Sequence, residues 1–192
     1  MTYGFRRAKV DCFELEEFIG MNSSLRIRTF LPDEWESYRD LRLRALADSP
    51  QAFGRTLAEE EARTPEEWSQ RLSASATSPW WLCLIATMDV SNENRSVGIA
   101  FAQQLEESPD VAHLYSMWVD PIARGNGIGR RLVDAILNWA RRRDVRQVVL
   151  QVTEGNQAAI NLYARCGFLL THETSPLRPG SQLMTHTMEI RL

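Results

Sequence analysis

The sequence predicts an α/β domain built on a mixed, mostly antiparallel sheet with helices on both faces. Three observations carry this. Strand-like alternation and helix-like periodicity interleave along most of the chain, three extended segments run consecutively in its middle, and two strand-then-helix units follow in its second half. At 192 residues and 44% hydrophobic, the chain can bury one full-sized core and is too short for two.

The elements follow in order. Leu25-Arg26-Ile27-Arg28-Thr29-Phe30 alternates as a strand. Asp33-Glu34-Trp35-Glu36 has capping-box spacing, and Trp35, Tyr38, Leu41, Ala45 and Leu46 recur at helical intervals until Asp48-Ser49-Pro50 interrupts them. Thr64-Pro65-Glu66-Glu67 opens a second helix, with proline at its first position, glutamate at N3, and Trp68 and Leu72 on its apolar face. Trp80–Met88 and Ser96–Leu105 read as strands joined by the polar turn Val90–Arg95, and Leu114–Val119 as a third. A helix begins at Ile128 and closes on Arg141-Arg142-Arg143, where cations suit the negative end of its dipole. Val148, Leu150 and Val152 alternate along Gln147–Thr153. Ala158, Ala159, Leu162 and Tyr163 then form one face of a short helix ended by Gly167. Phe168–His172 and Leu183–Leu192 make a final strand pair around a long loop at Ser175–Ser181. The order is β-α-α-β-β-β-α-β-α-β-β over residues 25–192. Residues 1–24 read as a leader, for which a disordered tail, a docking segment and an alternative start all stay open.

The most specific stretch is Leu114–Leu132. Its strand breaks at Asp120-Pro121, passes Arg124-Gly125-Asn126-Gly127-Ile128-Gly129, and becomes the helix that carries Arg130 and Arg131. Glycines admit a ligand close to the backbone, and the first turn of a helix offers unpaired amides at the positive end of its dipole. That combination suits a phosphate or pyrophosphate. A P-loop is excluded because Gly129 is followed by Arg130-Arg131 in place of Lys-Ser/Thr. A dinucleotide fingerprint fits poorly, since Gly125, Gly127 and Gly129 alternate strictly and lie past mid-chain. Two arginines in the first turn oppose the dipole unless an anion lies nearby.

Arg124-x-x-Gly127-x-Gly129 after a strand resembles the pyrophosphate loop of the GCN5-related N-acetyltransferase (GNAT) family. Asn156, Ala159, Tyr163, Gly167 and Phe168 match its second coenzyme segment, N-x-x-A-x-x-x-Y-x-x-x-G-F. The element order is also the family's usual one. The resemblance implies acetyl-CoA as co-substrate, no metal, and a central strand pair splayed to admit the pantetheine arm. Backbone groups of Met117, Trp118 and Val119 would meet that arm, with the Val119 N–H as a candidate oxyanion donor. The loop Arg124, Gly125, Asn126, Gly127, Ile128, Gly129 and Arg130 would hold the pyrophosphate, and Asn156 would bond the coenzyme while capping its helix. Tyr163 would protonate the departing thiolate as general acid.

Direct attack by an amine is the implied chemistry. Family members that acetylate protein N-termini often carry a glutamate five residues before the Asn; here Gln151 stands there, and an amide takes no proton. Glu106, Glu107, Asp110 and His113 are the nearest polar candidates for a base, and water is an alternative. The segment Tyr38–Leu72 would shape the acceptor pocket, with Glu59-Glu60-Glu61 either attracting a cationic amine or simply solvated. The acceptor, a small-molecule or a protein amine, stays open, as does a homodimer. The same fold without turnover would be an acetyl-CoA sensor.

A net charge of −3 argues against nucleic acid as the main partner. Cys12, Cys83 and Cys166 have neither disulfide-framework nor zinc-ligand spacing, which suits a reducing cytoplasm. No apolar run of membrane-spanning length is present, and no membrane partner is expected.

Overall fold

The computed structural model describes residues 25–91 and 93–192; the expected leader lies outside the described residues. The order is β1 (Arg26–Thr29), α1 (Trp35–Asp48), α2 (Leu57–Glu61), α3 (Pro65–Thr77), β2 (Trp81–Val90), β3 (Glu93–Leu105), β4 (Ser108–Val119), a 3-10 turn at Pro121–Ala123, α4 (Ile128–Arg141), β5 (Gln147–Thr153), α5 (Gln157–Arg165), β6 (Leu169–Pro176) and β7 (Met184–Arg191). The strands form a seven-stranded sheet in the order β1-β2-β3-β4-β5-β7-β6. All neighbours are antiparallel except β4 and β5, which are joined by the α4 crossover. The sheet is therefore mixed and mostly antiparallel, as expected.

Two apolar layers cover it. On one face Leu84, Ala100, Leu114 and Leu150 pack with Ile128, Leu132 and Ile136 of α4 and Tyr163 of α5. On the other, Cys83, Ile85, Ile99, Phe101 and Trp118 pack with Tyr38, Leu41 and Ala45 of α1 and Trp68 and Leu72 of α3. Helices on both faces follow from strands that are apolar on both sides, such as the unbroken buried run from Leu82 to Thr87.

The capping box expected at the start of α3 forms. Thr64 accepts from the Glu67 amide at 3.3 Å and the Glu67 carboxylate accepts from the Thr64 amide at 2.8 Å. The capping box expected at Asp33–Glu36 does not form. Glu34 is the N-cap, and its carboxylate turns back to the Leu31 amide at 2.7 Å and, bidentately, to Arg28. The bidentate, charge-assisted pair with Arg28 fixes Glu34 at the cap position, one residue later than the box requires. A further helix not expected from the sequence, α2, has five residues and is opened by a capping box of Thr56 and Glu59. The β2–β3 hairpin is longer than its apolar pattern, pairing out to Val90↔Glu93, because ladder hydrogen bonds accept polar residues as readily as apolar ones.

The sheet's central feature is a split. β4 pairs with β5 only from Val111↔Gln147 to Leu114↔Leu150. Beyond that point β5 follows β7 out to Thr153↔Thr185, while β4 stays with β3 as far as Gly98↔Val119. A bulge makes the divergence: the register steps from Ile99↔Trp118 to Phe101↔Tyr115, adding one residue to β4, and Ser116 sits there at φ 52°. Pro121, with no N–H, stops further pairing.

Candidate functional site

The open end of the split meets the glycine loop. Asp120 donates its amide to Val97 of β3 at 2.8 Å, so by strand alternation the polar groups of Val119 and of Met117 face the gap. Those of Trp118 face β3, and its carbonyl lies where a Cβ on Gly98 would meet it at 3.1 Å. The Trp118 side chain is core against α1. Of the strand residues singled out in the sequence, Met117 and Val119 thus line the gap and Trp118 holds the strand beside it.

Gly125 (φ 83°) and Gly127 (φ 74°) turn the loop through left-handed conformations, and a Cβ on either would meet nothing within 4 Å. Gly127 is the N-cap of α4, with no side-chain cap. The helix's first bond runs from the Arg131 amide to the Gly127 carbonyl at 3.1 Å. The amides from Gly125 to Arg130 have no acceptor among the described residues, and apart from buried Ile128 and half-buried Gly129 these residues are exposed. Asn126 braces the loop through its side-chain amide, which donates to Ala123 O at 3.1 Å. Gly129 serves a different purpose: a Cβ there would lie 3.0 Å from Leu162 and 3.3 Å from Met117, so its absence lets α4 sit close to α5 and β4.

The side chains of Arg124 and Arg130 are engaged within the chain. Arg130 bonds Asp134 at 3.0 Å and the Arg165 carbonyl at 3.1 Å, so an internal carboxylate offsets one of the two first-turn charges for which an anionic ligand was expected. Arg124 Nε donates to Val119 O at 3.0 Å, and its guanidinium pairs with Asp48, the last residue of α1. Asp48 also accepts from the Trp118 indole at 2.9 Å and from Ser49 at 2.7 Å. Burial alone would raise the Asp48 pKa, but the bonds from Ser49, Trp118 and Arg124 hold it below the ordinary value. A parallel tie joins Arg44 of α1 to Asp120 and to Ser96 O. In the sequence Asp48 marks only the helix stop, and nothing in its local sequence announces the tertiary partners.

α5 supplies the opposite wall. Asn156 caps it by accepting from the Ala159 amide at 3.3 Å. Tyr163 is buried, its ring 5.9 Å from that of Phe168. Its hydroxyl has no partner among the described residues and is not one of the sealed polar atoms. Burial and nearby Cys166 raise its pKa well above that of a free phenol, so it remains a proton donor at neutral pH.

The α1 face of the sheet is lined differently. Trp81, Tyr115 and His113 form an aromatic row, with centroids 6.1 Å apart for Trp81–Tyr115 and 5.9 Å for His113–Tyr115. Tyr115 is the first residue of β4 past the last β4–β5 pair and is 40% exposed. His113 is half-buried, and desolvation lowers its pKa, keeping the imidazole neutral. Glu106, Glu107 and Asp110 lie at the far end of β4, nine or more residues from Val119 or roughly 30 Å along the strand. Gln151 donates to Ser175 Oγ at 3.2 Å. Glu60, expected to attract an amine or be solvated, does neither: it is 0% exposed, bonded by Arg71 at 3.0 and 2.8 Å and by Arg63 at 2.9 Å. The described residues contain no His, Cys, Asp and Glu cluster able to hold a metal, and no helix long and apolar enough to cross a membrane.

The split sheet thus opens toward the unpaired amides at the N-terminus of α4. Residues 33–168 match the acetyltransferase (GNAT) family, and the chain belongs to it. A mycothiol acetyltransferase of Geodermatophilus obscurus is 33% identical over 86% of this chain and 54% of its own length, and one of Salinispora arenicola is 29% identical over 86% and 53%. The chain spans about half the length of these curated relatives. Among solved structures, yncA of Salmonella typhimurium with its cofactor acetyl-CoA superposes with a TM-score of 0.70 at 18% identity, covering 88% of this chain and 95% of that one. A GCN5-related N-acetyltransferase from Kribbella flavida gives 0.68 at 22%, covering 88% and 98%.

Proposed function

We propose that residues 25–192 form an N-acetyltransferase domain that moves the acetyl group of acetyl-CoA to an amine by direct attack. The observation that carries this is the split beyond Leu114↔Leu150, with the free amides of Gly125–Arg130 at its open end. The diphosphate lies on those amides, with the dipole of α4 behind it. The pantetheine arm pairs with Met117 and Val119 as an added strand, exchanging with the Arg124 contact on Val119 O. The Val119 N–H bonds the thioester oxygen as charge develops on it.

The two faces of the sheet then divide the chemistry. Tyr163 belongs to the α4–α5 face and protonates the departing sulfur, while the amine arrives from the α1 face, over Tyr115 and His113. His113 is the neutral base nearest the vertex of the split, one residue before the last β4–β5 pair. The relatives' name supports acetyl transfer and makes mycothiol-related amines the first acceptors to assay.

Calorimetry with acetyl-CoA and thiol release against an amine panel test the reading. Tyr163→Phe is expected to bind acetyl-CoA as the parent does and to lose about 10²-fold in kcat. Absence of heat with acetyl-CoA refutes it. Tight binding without thiol release for any amine replaces it with an acetyl-CoA sensor.

A further inference from the structure

The sealed polar atoms without a partner among the described residues sit together: Tyr38 Oη and Arg42 Nε and Nη1. Tyr38 and Arg42 are four residues apart on α1 and therefore share a face. They are 0% and 4% exposed. Donors sealed from water almost always have an acceptor, and a buried cation needs a counter-charge.

Glu60 supplies only one charge, which Arg42 shares with Arg71 and Arg63, and it reaches neither Nε nor Nη1 of Arg42. Both its oxygens are taken by Arg71 and Arg63, while Arg42 approaches it only to 3.8 Å. The surroundings add positive charge, since Arg71 lies 5.7 Å from the Tyr38 ring, and Arg71 and Arg55 both act on Arg42. The guanidinium of Arg42 lies 4.6 Å from the ring of Phe53, in the connection between α1 and α2, whose neighbours Gly54 and Arg55 are exposed.

We propose that Tyr38 and Arg42 form an anion subsite beneath the α1–α2 connection, taking a carboxylate-sized oxyanion that enters past Phe53. Tyr38 stacks on Phe101 at 5.2 Å, and Phe101 pairs with Tyr115 where β4 leaves β5. The subsite is thus one aromatic ring behind the acceptor face. Its oxyanion is either free or the anionic group of an acceptor, and only the second source rests on the acetyl-transfer reading.

Thermal unfolding of the full chain, titrated with succinate and separately with inorganic phosphate at constant ionic strength, tests it. An oxyanion at ten times its dissociation constant raises the melting temperature by about 3–6 °C. Arg42→Met is expected to abolish the response and to melt no lower than the parent without anion, because Glu60 keeps Arg71 and Arg63. Tyr38→Phe weakens the anion about tenfold. No response to either probe, or a response that Arg42→Met retains, overturns the proposal. If Arg42→Met does not fold, unchanged anion affinity in Tyr38→Phe overturns it.

Turnover of amines with and without a carboxylate identifies the source. A preference of about tenfold in kcat/KM for the carboxylate, lost in Arg42→Met, assigns it to the acceptor. A thermal response without that preference assigns a free anion. Absence of heat with acetyl-CoA in the same samples would sink the acetyl-transfer reading and leave the thermal result standing.

Discussion

Replacing Asp48 probes how α1 is fastened to the coenzyme strand. Asp48→Ala leaves the Trp118 indole N–H, on a residue 5% exposed, without its 2.9 Å acceptor, which costs about 1–3 kcal/mol. The ion pair with Arg124 adds little, below about 1 kcal/mol, since the two side chains are 49% and 24% exposed. Removing an acid from the C-terminal end of α1 returns about 0.3–1 kcal/mol through the helix dipole. The net loss is therefore about 1–3 kcal/mol, or roughly 3–10 °C in melting temperature. Asp48→Asn keeps an oxygen for the indole and should lose less than about 1 kcal/mol. Urea unfolding at unchanged m-value measures both. Equal losses for Ala and Asn would refute the assignment of the energy to the indole bond. The pH dependence has a fixed sign: a carboxyl held below its unfolded value contributes stability at pH above about 4, lost as pH falls through the folded value. That acid-side loss should be smaller in Asp48→Asn.

Gly127→Ala places a side chain at φ 74° in open space, so its cost is backbone strain alone, about 1–2 kcal/mol. Calorimetry should show acetyl-CoA affinity falling at least tenfold as the loop amides lose their shared direction, and unchanged affinity would deny them the diphosphate. Glu60→Gln leaves Arg42, Arg63 and Arg71 around a neutral amide and should cost about 3–5 kcal/mol in urea unfolding, more than Asp48→Ala. Although burial opposes ionisation of Glu60, Arg71, Arg42 and Arg63 hold its pKa below the ordinary carboxylate value, so this stabilisation too is present at neutral pH and lost on acidification. A loss under about 1 kcal/mol for Glu60→Gln would show that the arginines do not depend on its charge.

The sequence alone determined the elements that rest on local chemistry. The capping box at Thr64, the helix start at Ile128, the alternation of Gln147–Thr153 and the helix that Gly167 ends are set by neighbours a few residues away, and all stand in the structure. Tertiary structure decided where charges go. Glu34 paired with Arg28 where a capping box of Asp33 and Glu36 was expected, Glu60 left solvent for a ring of arginines, and Arg124 and Arg130 turned to Asp48 and Asp134. Backbone capping and periodicity act over one or two turns and so leave a trace in the order of residues. An ion pair forms wherever the fold brings opposite charges together, and residues 76 positions apart, such as Asp48 and Arg124, carry no mark of each other until the sheet and α1 have packed.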